Sequence, residues 1–564
     1  MAFQLSPGVL VVEKDLTLLV PSVSTTAGGF AGAFQWGPVD EVVTVDSETV
    51  LVERFGKPND TTYNSFFTAA NFLSYGNNLQ LVRVVDKSLA KNAKSNAAAS
   101  AILIKNEDDY NSNYASGSAS VGAWAAKYAG NLGNSLKVSL ADANTWTNWE
   151  YRADFDDRPN TSAYASTVGG ANDELHVIVI DEDGLWTGTK GTVLERFGFV
   201  SKASDAKLPD GTSNYYKNVV NNKSKYIWWM DHPEANIIGT VNWGSEAAGV
   251  TFANTNNTSN VSSSLNGGVS ADNPTSGNLQ TAFAIFANDD LYDVSLIPLG
   301  AVDGATATYV INNVAETRKD CVVFVSPEQS DVVDNSGDEA VDVTAFRDTL
   351  PSSSYAVMDS GWKYQYDRYN DVYRYVPLNG DTAGLAVRTD FVADPWFSPA
   401  GLNRGQIKNV VKLPYSPRKT DRDTLYKKGV NPVVTFPGNG TVLYGDKTLL
   451  AKPSAFDRIN VRRLFIVLEK AIATAAKYQL FEFNDAFTRA QFRNLVEPFL
   501  REVQGRRGIT DFKVVCDESN NTGEVIDRNE FVADIYIKPA RSINFIQLNF
   551  VATRTGISFE EVGA

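Results

Sequence analysis

Apolar residues recur at helical spacing along residues 461–476. Val461, Leu464, Phe465, Leu468, Ile472, Ala475 and Ala476 fall on one stripe, while Arg462, Glu469, Lys470, Ala473 and Lys477 lie off it. The pattern predicts an amphipathic helix with one face against a core. A second helix is announced by Asn484 and Asp485 as N-cap residues, carries Phe492, Leu495, Val496, Phe499 and Val503 on one stripe, and stops at Gly505. Pro498 should kink it. Three runs rich in β-branched and aromatic residues follow at 512–516, 531–537 and 543–552. Turn chemistry separates them at Asn520-Asn521-Thr522-Gly523 and at Lys538-Pro539, so they read as strands. Residues 456–556 therefore predict a compact α+β unit.

Upstream, the chain opens with Ser6-Pro7-Gly8 and the apolar run Val9, Leu10, Val11 and Val12. Glu13-Lys14-Asp15, a second run at 16–20 and Pro21 come next. A four-residue strand is too short to make a core and must pair with its own domain or with another chain. From Phe30 the pattern tightens into strands near 30–35 and 41–45, a helix capped by Asp46 or Ser47 and ended by Gly56, a helix ended by Gly76, and a buried strand at 79–85. That is a second α+β unit. Lys, Ala, Asn and Ser then dominate 88–100 with little periodicity, which marks a crossing into an inserted domain. Strands return at 136–140 and 175–180. Residues 254–268 are polar enough to predict a loop, the strand 321–326 resumes the interrupted unit, and 395–417 reads as a connection.

Length and charge sharpen this picture. The 564 residues suggest three or four domains at ~150 residues each. A formal charge of −15 argues against a nucleic-acid surface, which needs clustered Lys and Arg to neutralise phosphates. Residues 456–564 hold 15 basic and 15 acidic side chains, so the whole excess lies in residues 1–455, as a solvated acidic surface or one turned outward in an assembly. Two cysteines, Cys321 and Cys516, found no disulfide framework. The first residues lack the basic and apolar regions of a secretory signal, and no run approaches the ~18 apolar residues of a membrane span. The expectation is a soluble chain with no membrane insertion.

Catalytic chemistry finds little support. Gly440-Thr-Val-Leu-Tyr-Gly445 is followed by Asp446 where a phosphate loop needs Lys, and that carboxylate would repel phosphate. Asp181-Glu182-Asp183-Gly184 has its Gly at the wrong offset for a calcium loop and no bidentate Glu at position twelve. His176 and His232 have no His or Cys at ligand spacing, and no Gly-x-Ser-x-Gly elbow occurs. Five tyrosines between Tyr364 and Tyr375 fit a sugar-stacking platform or, more readily, a rigid protein interface. No catalytic residue, metal site or cofactor is assigned.

Several blocks carry a family resemblance. Phe456-Asp-Arg-Ile-Asn-Val-Arg-Arg-Leu-Phe465, Val525-Ile-Asp-Arg-Asn-Glu-Phe-Val-Ala533 and Pro539-Ala-Arg-Ser-Ile-Asn544 closely resemble the tail sheath protein of contractile-tailed bacteriophages. Phe34-Gln-Trp-Gly-Pro38, Asn71-Phe-Leu-Ser-Tyr-Gly76, Tyr364-Gln-Tyr-Asp-Arg-Tyr-Asn370 and Ser398-Pro-Ala-Gly-Leu-Asn-Arg404 extend it upstream. The residues carrying it in the inner domain are Phe456, Asp457, Arg458, Asn460, Arg462, Arg463, Asp527, Arg528, Asn529 and Arg541. The resemblance implies a non-enzymatic α+β multidomain subunit with nested insertions and an inner α/β core domain that exchanges N- and C-terminal strands. In that scheme 1–23 is a linking arm, 24–87 with 318–414 a middle domain, 88–317 an inserted outer domain, and 415–564 the tube-facing inner domain. Val9, Leu10, Val11, Val12, Ile546, Leu548 and Phe550 would add strands to neighbouring subunits. The implied partners are further copies in hexameric rings and a helical sheath, the tail tube protein, and baseplate and tail terminator proteins. Contraction would drive the tube through the host envelope for genome ejection, from a virion assembled in the host cytoplasm. The sheath of an R-type bacteriocin or a type VI secretion apparatus is the alternative.

Overall fold

The computed structural model describes residues 24–118, 120–233, 242–255, 261–544 and 546–548. The predicted arm at 9–12 and Phe550 lie outside them. Helices and strands are mixed throughout, in several sheets. The chain forms two compact bodies, one of residues 24–392 and 399–457, the other built on 393–398 and 458 onward.

The larger body is organised by a seven-stranded sheet. Its spatial order is Val430–Asn431, Ala356–Asp359, Val322–Val325, Leu296–Pro298, Gly28–Gly32, Leu79–Arg83 and Val42–Val45. Every neighbouring pair is parallel except the last. Val322–Val325 shows why: an unbroken apolar strand, buried at all four positions, suits a parallel sheet covered on both faces. Two expectations are corrected here. Leu296–Pro298, placed by sequence in the inserted segment 88–317, lies between Gly28–Gly32 and Val322–Val325. Val430–Asn431, placed with 415–564, forms the far edge of the same sheet.

Between Leu79–Arg83 and Leu296–Pro298 the chain builds a four-stranded antiparallel sheet, ordered Thr192–Ser201, Glu174–Asp181, Leu136–Asp142 and Val261–Ser264. The predicted loop at 254–268 is thus corrected: Val261–Ser264 is a strand paired along Leu136–Asp142. Arg83, fully buried at the end of its own strand, donates to the carbonyls of Phe34, Gly37, Gln35 and Ala129. Burial pulls its pKa down to about 9, still above neutrality, so one buried cation ties the central sheet to two flanking loops.

In open parallel sheets a ligand crevice forms beyond the carboxyl ends of the strands, where the strand order reverses. Here that place is filled from within. The helix Asn379–Val392 brings Asn379 against the strand ends, where its amide donates to the Gly300 carbonyl and accepts from the Gly300 N–H. Its backbone N–H donates to Ser326 Oγ, which in turn donates to Asp359. A Cβ on Gly380 would come within 2.4 Å of the Thr68 carbonyl oxygen, so only glycine allows that approach. At the next residue, Asp381 holds Lys363 at 2.9 Å, both side chains fully buried, and also accepts from the Tyr75 hydroxyl. Burial raises the pKa of Asp381 and lowers that of Lys363, and the opposite charge of each partner acts against both shifts.

Burial raises the pKa of Asp359 to about 8, against an ordinary 3.8. The folded state therefore retains a proton that the unfolded chain gives up. The resulting stability is whole below the unfolded pKa and is lost as pH rises through about 8. Thermal midpoints measured from pH 5 to 9 should fall less steeply in Asp359→Asn than in the native chain. Identical slopes would show that this carboxyl is ionised when folded.

Candidate subunit interface

In the smaller body the two predicted helices form as Ile459–Ala476 and Ala486–Gly505. Asp485 caps the second by accepting from the Thr488 N–H at 2.8 Å. That helix runs through Pro498, leaving the carbonyl four residues earlier at exposed Asn494 without its usual N–H partner. Leu464, Leu468, Phe492, Val496, Leu500 and Val503 make the core. Trp396, expected in a connection, packs into this core and donates its indole N–H to the Arg506 carbonyl at 3.1 Å. Arg506 also pairs with Asp394.

Against the helices lies a sheet of two strands only, Ile509–Val515 antiparallel to Asp534–Pro539. Phe512 and Val514 stand opposite Ile537 and Ile535 on the face turned to the core. Lys513 and Tyr536 pair on the exposed face. Among the described residues no further strand joins either edge. Each edge therefore offers a row of backbone donors and acceptors. The third predicted strand, 543–552, is corrected for its described part: residues 541–544 and 546–548 have no regular structure. Ile543, Ile546 and Leu548 are nonetheless 82%, 78% and 71% exposed. Apolar side chains in open solvent on a segment with a strand's composition mark it as surface to be covered.

The residues that carry the resemblance divide in two. Asn460, Arg462 and Arg463 lie buried in the first turns of Ile459–Ala476, where they are part of the packing, and Arg458 caps that helix. Asp527, Arg528 and Asn529 stand exposed after the short helix Gly523–Asp527, with Arg528 paired to Glu530 at 2.9 Å, and Arg541 is exposed. Phe456 and Asp457, both half-buried, belong to the larger body, where their carbonyls accept from Thr448.

A feature missed by periodicity joins the two helices. Tyr478, Leu480, Phe481, Phe483 and Phe487 all point into solvent, and Phe481 holds φ +70. An aromatic residue in the left-handed region stores about 1–2 kcal/mol of strain. On the larger body, the strands Trp362–Asp367 and Val372–Pro377 pair Tyr364 with Tyr375 and Tyr366 with Tyr373 on one face. The rings of those two pairs are tilted by 46° and 54°, with centroids 4.6 and 5.2 Å apart, while Tyr364 and Tyr373 stack at 18° and 5.5 Å, so the four rings form a ridge and share no single plane. That shape fits a protein surface better than a sugar ring.

The weighed chemistry has structural explanations. Gly440–Leu443 is a strand of a hairpin with Val433–Phe436. Asp181 accepts from Ser135, Trp186 and Thr187, closing a turn. His176 stacks on Phe155, accepts from the Phe199 N–H at Nδ1 and donates Nε2–H to the Asp157 carbonyl. Burial lowers its pKa, as it does that of His232. Among the described residues no group of three acidic, His or Cys side chains could hold a metal ion, and no helix is long and apolar enough to cross a membrane.

Three family models match stretches of the chain. Residues 26–84 match the family described as tail sheath protein Gp18 domain III N-terminal region, 275–449 the phage tail sheath protein central domain, and 451–553 the phage tail sheath C-terminal domain. The tail sheath protein of Vibrio phage KVP40 is 37% identical, covering 99% of both chains. That of Enterobacteria phage T4 is 35% identical, again over 99% of both. The fold matches the sheath tail protein Lin1278 of Listeria innocua with a TM-score of 0.53 at 12% identity, over 92% of this chain and 96% of that one. It matches the contracted-state sheath of an extracellular contractile injection system with a TM-score of 0.50 at 12% identity, over 98% and 99%.

Because Phe481 is strained and contacts solvent, Phe481→Asn should leave the melting of the isolated subunit unchanged or raise it, by no more than about 2 kcal/mol. A clear loss of stability on calorimetry would show that the ring packs inside its own body.

Proposed function

The chain belongs to the tail sheath family of contractile-tailed bacteriophages, and from that premise we propose how it links to its neighbours. Each subunit donates two strands, one from Val9, Leu10, Val11 and Val12 and one containing Ile546, Leu548 and Phe550, to the sheets of adjacent copies. The observation that carries this is the sheet Ile509–Val515 and Asp534–Pro539, which no further strand joins at either edge among the described residues, together with the exposed apolar segment just beyond it. Backbone pairing would satisfy the open edges and bury Ile546 and Leu548 in alternate order.

In this reading, rings of six subunits stack around the tail tube between the baseplate and the tail terminator. Contraction drives the tube through the host envelope so that the genome is ejected. The subunit is not an enzyme and needs no cofactor: the energy resides in the extended lattice and is released as subunit faces repack. The body with the open sheet faces the tube, residues 24–87 with the later strands of the seven-stranded sheet form the middle, and the antiparallel sheet between them faces outward. The tail assembles in the host cytoplasm. Full-length identity to phage tail sheath proteins favours a phage over a bacteriocin or secretion apparatus.

Val11→Pro removes a ladder donor and imposes a ring that an interior strand position does not accommodate, a cost of ~3 kcal/mol at every subunit. The variant should give a soluble subunit with native melting that fails to form tubes under the electron microscope. Normal tubes, or an unfolded subunit, would refute donation by the arm. The paired change Ile546→Asp with Leu548→Asp should act alike, leaving subunit stability within about 0.5 kcal/mol because both side chains are exposed. Tubes of normal length from this variant would exclude the C-terminal strand.

A further inference from the structure

We propose that Lys202 and Asn254 become joined by an intramolecular isopeptide bond, formed with Asp142 as the proton carrier. Lys202 follows the strand Thr192–Ser201, Asp142 ends the strand Leu136–Asp142, and Asn254 precedes the strand Val261–Ser264. The side chains of Lys202 and Asp142 are fully buried. Lys202 Nζ lies 3.3 Å from Asp142 Oδ2 and 3.3 Å from Asn254 Oδ1, with the carbonyls of Asn172 and Ala253 each at 3.2 Å. The Trp243 ring lies 4.8 Å away.

The Asp142 carboxylate, three further oxygens and the Trp243 face can hold an ammonium, but none of these contacts is short. Three N–H donors face four acceptors, all farther than the ~2.7–2.9 Å usual for a charge-assisted contact. Burial favours the neutral amine and lowers the pKa of Lys202. A neutral amine has the lone pair that attack on a carboxamide requires. Asp142 is held firmly beside it: Oδ2 accepts from the Thr255 N–H at 2.7 Å, and Oδ1 from the Asn144 N–H at 3.0 Å and the Thr255 hydroxyl at 3.2 Å. The carboxylate is thereby fixed against the residue that follows Asn254.

In the reaction, Asp142 takes a proton from Lys202 Nζ, whose lone pair attacks Asn254 Cγ. The tetrahedral intermediate collapses by breaking the bond from Cγ to Nδ2, and Asp142 returns the proton to the departing nitrogen. The products are an amide between Nζ and Cγ and one molecule of ammonia. Asp142 ends as it began, and no oxidant or further reactant is consumed. The bond would tie the end of Thr192–Ser201 to the approach to Val261–Ser264, the two outer strands of the four-stranded sheet. Such a staple resists the peeling of an edge strand in a protein that works under mechanical load.

The denatured intact mass of the purified native chain decides the matter. It should be lighter than its sequence by one ammonia, and protease digestion should yield a branched peptide joining Lys202 to Asn254. Lys202→Arg keeps the cation yet should show full mass, as should Asn254→Ala, whereas Asn254→Asp should lose one water. Full mass in the native chain would overturn the proposal and leave a buried ion pair. Loss of ammonia that persists in Asn254→Ala would also overturn it, because another asparagine would then be its source.

Discussion

Among the described residues the sheet of the smaller body has two strands and no interior strand, and the packing of that body follows from this constraint. Its helices cover one face of Ile509–Val515 and Asp534–Pro539 through Phe492, Val496, Leu500 and Val503. Helices can bury side chains this way, but they supply no partners to the backbone groups along a sheet edge. An isolated hairpin is marginal in water, so the body gains its stability from helix packing and from Trp396. Under the proposed strand donation, this body would fold on its helix packing and gain further strands from other subunits.

The larger body solves the opposite problem. Its parallel strands end beside Asn379, Ser326 and Asp359, where a doubly wound sheet commonly keeps a crevice for a ligand. Asn379 pairs with both backbone groups of Gly300, and Gly380 lets the helix approach Thr68 closely enough to leave no room. Lys363 and Asp381 add a buried ion pair whose charges would be costly if separated.

Sequence reading found the elements whose burial is written in their side chains. The stripes of Ile459–Ala476 and Ala486–Gly505 and the apolar run of Val322–Val325 were all legible. Val261–Ser264 was not, because it presents one valine and three serines. It is held by backbone pairing and by the Ser262 hydroxyl donating to Ser139. Leu296–Pro298 and Val430–Asn431 are too short to show a period, and only their neighbours in space define them. Trp396 sat in a stretch rich in turn residues, where an aromatic gives no hint of its distant partner. In the candidate interface, composition suggested a strand at 543–552, but its described part has no regular structure and leaves Ile546 and Leu548 exposed. The ring of aromatics from Tyr478 to Phe487 was not legible, because exposure cannot be read from composition.

The strand donation proposed above would also let a lattice contract without falling apart. Contacts made by side chains such as the tyrosine ridge are specific to one arrangement and must break when subunits slide. A donated strand is bonded through backbone groups along its length, and the covalent chain connects it to its own subunit. Subunit faces can then exchange one set of side-chain contacts for another while every link persists. The free energy released depends on the faces, and the continuity of the sheath depends on the edges. Separating these two tasks requires a subunit with one complete body and one incomplete body. The seven-stranded sheet of the larger body and the sheet of the smaller one, two-stranded among the described residues, fit that division.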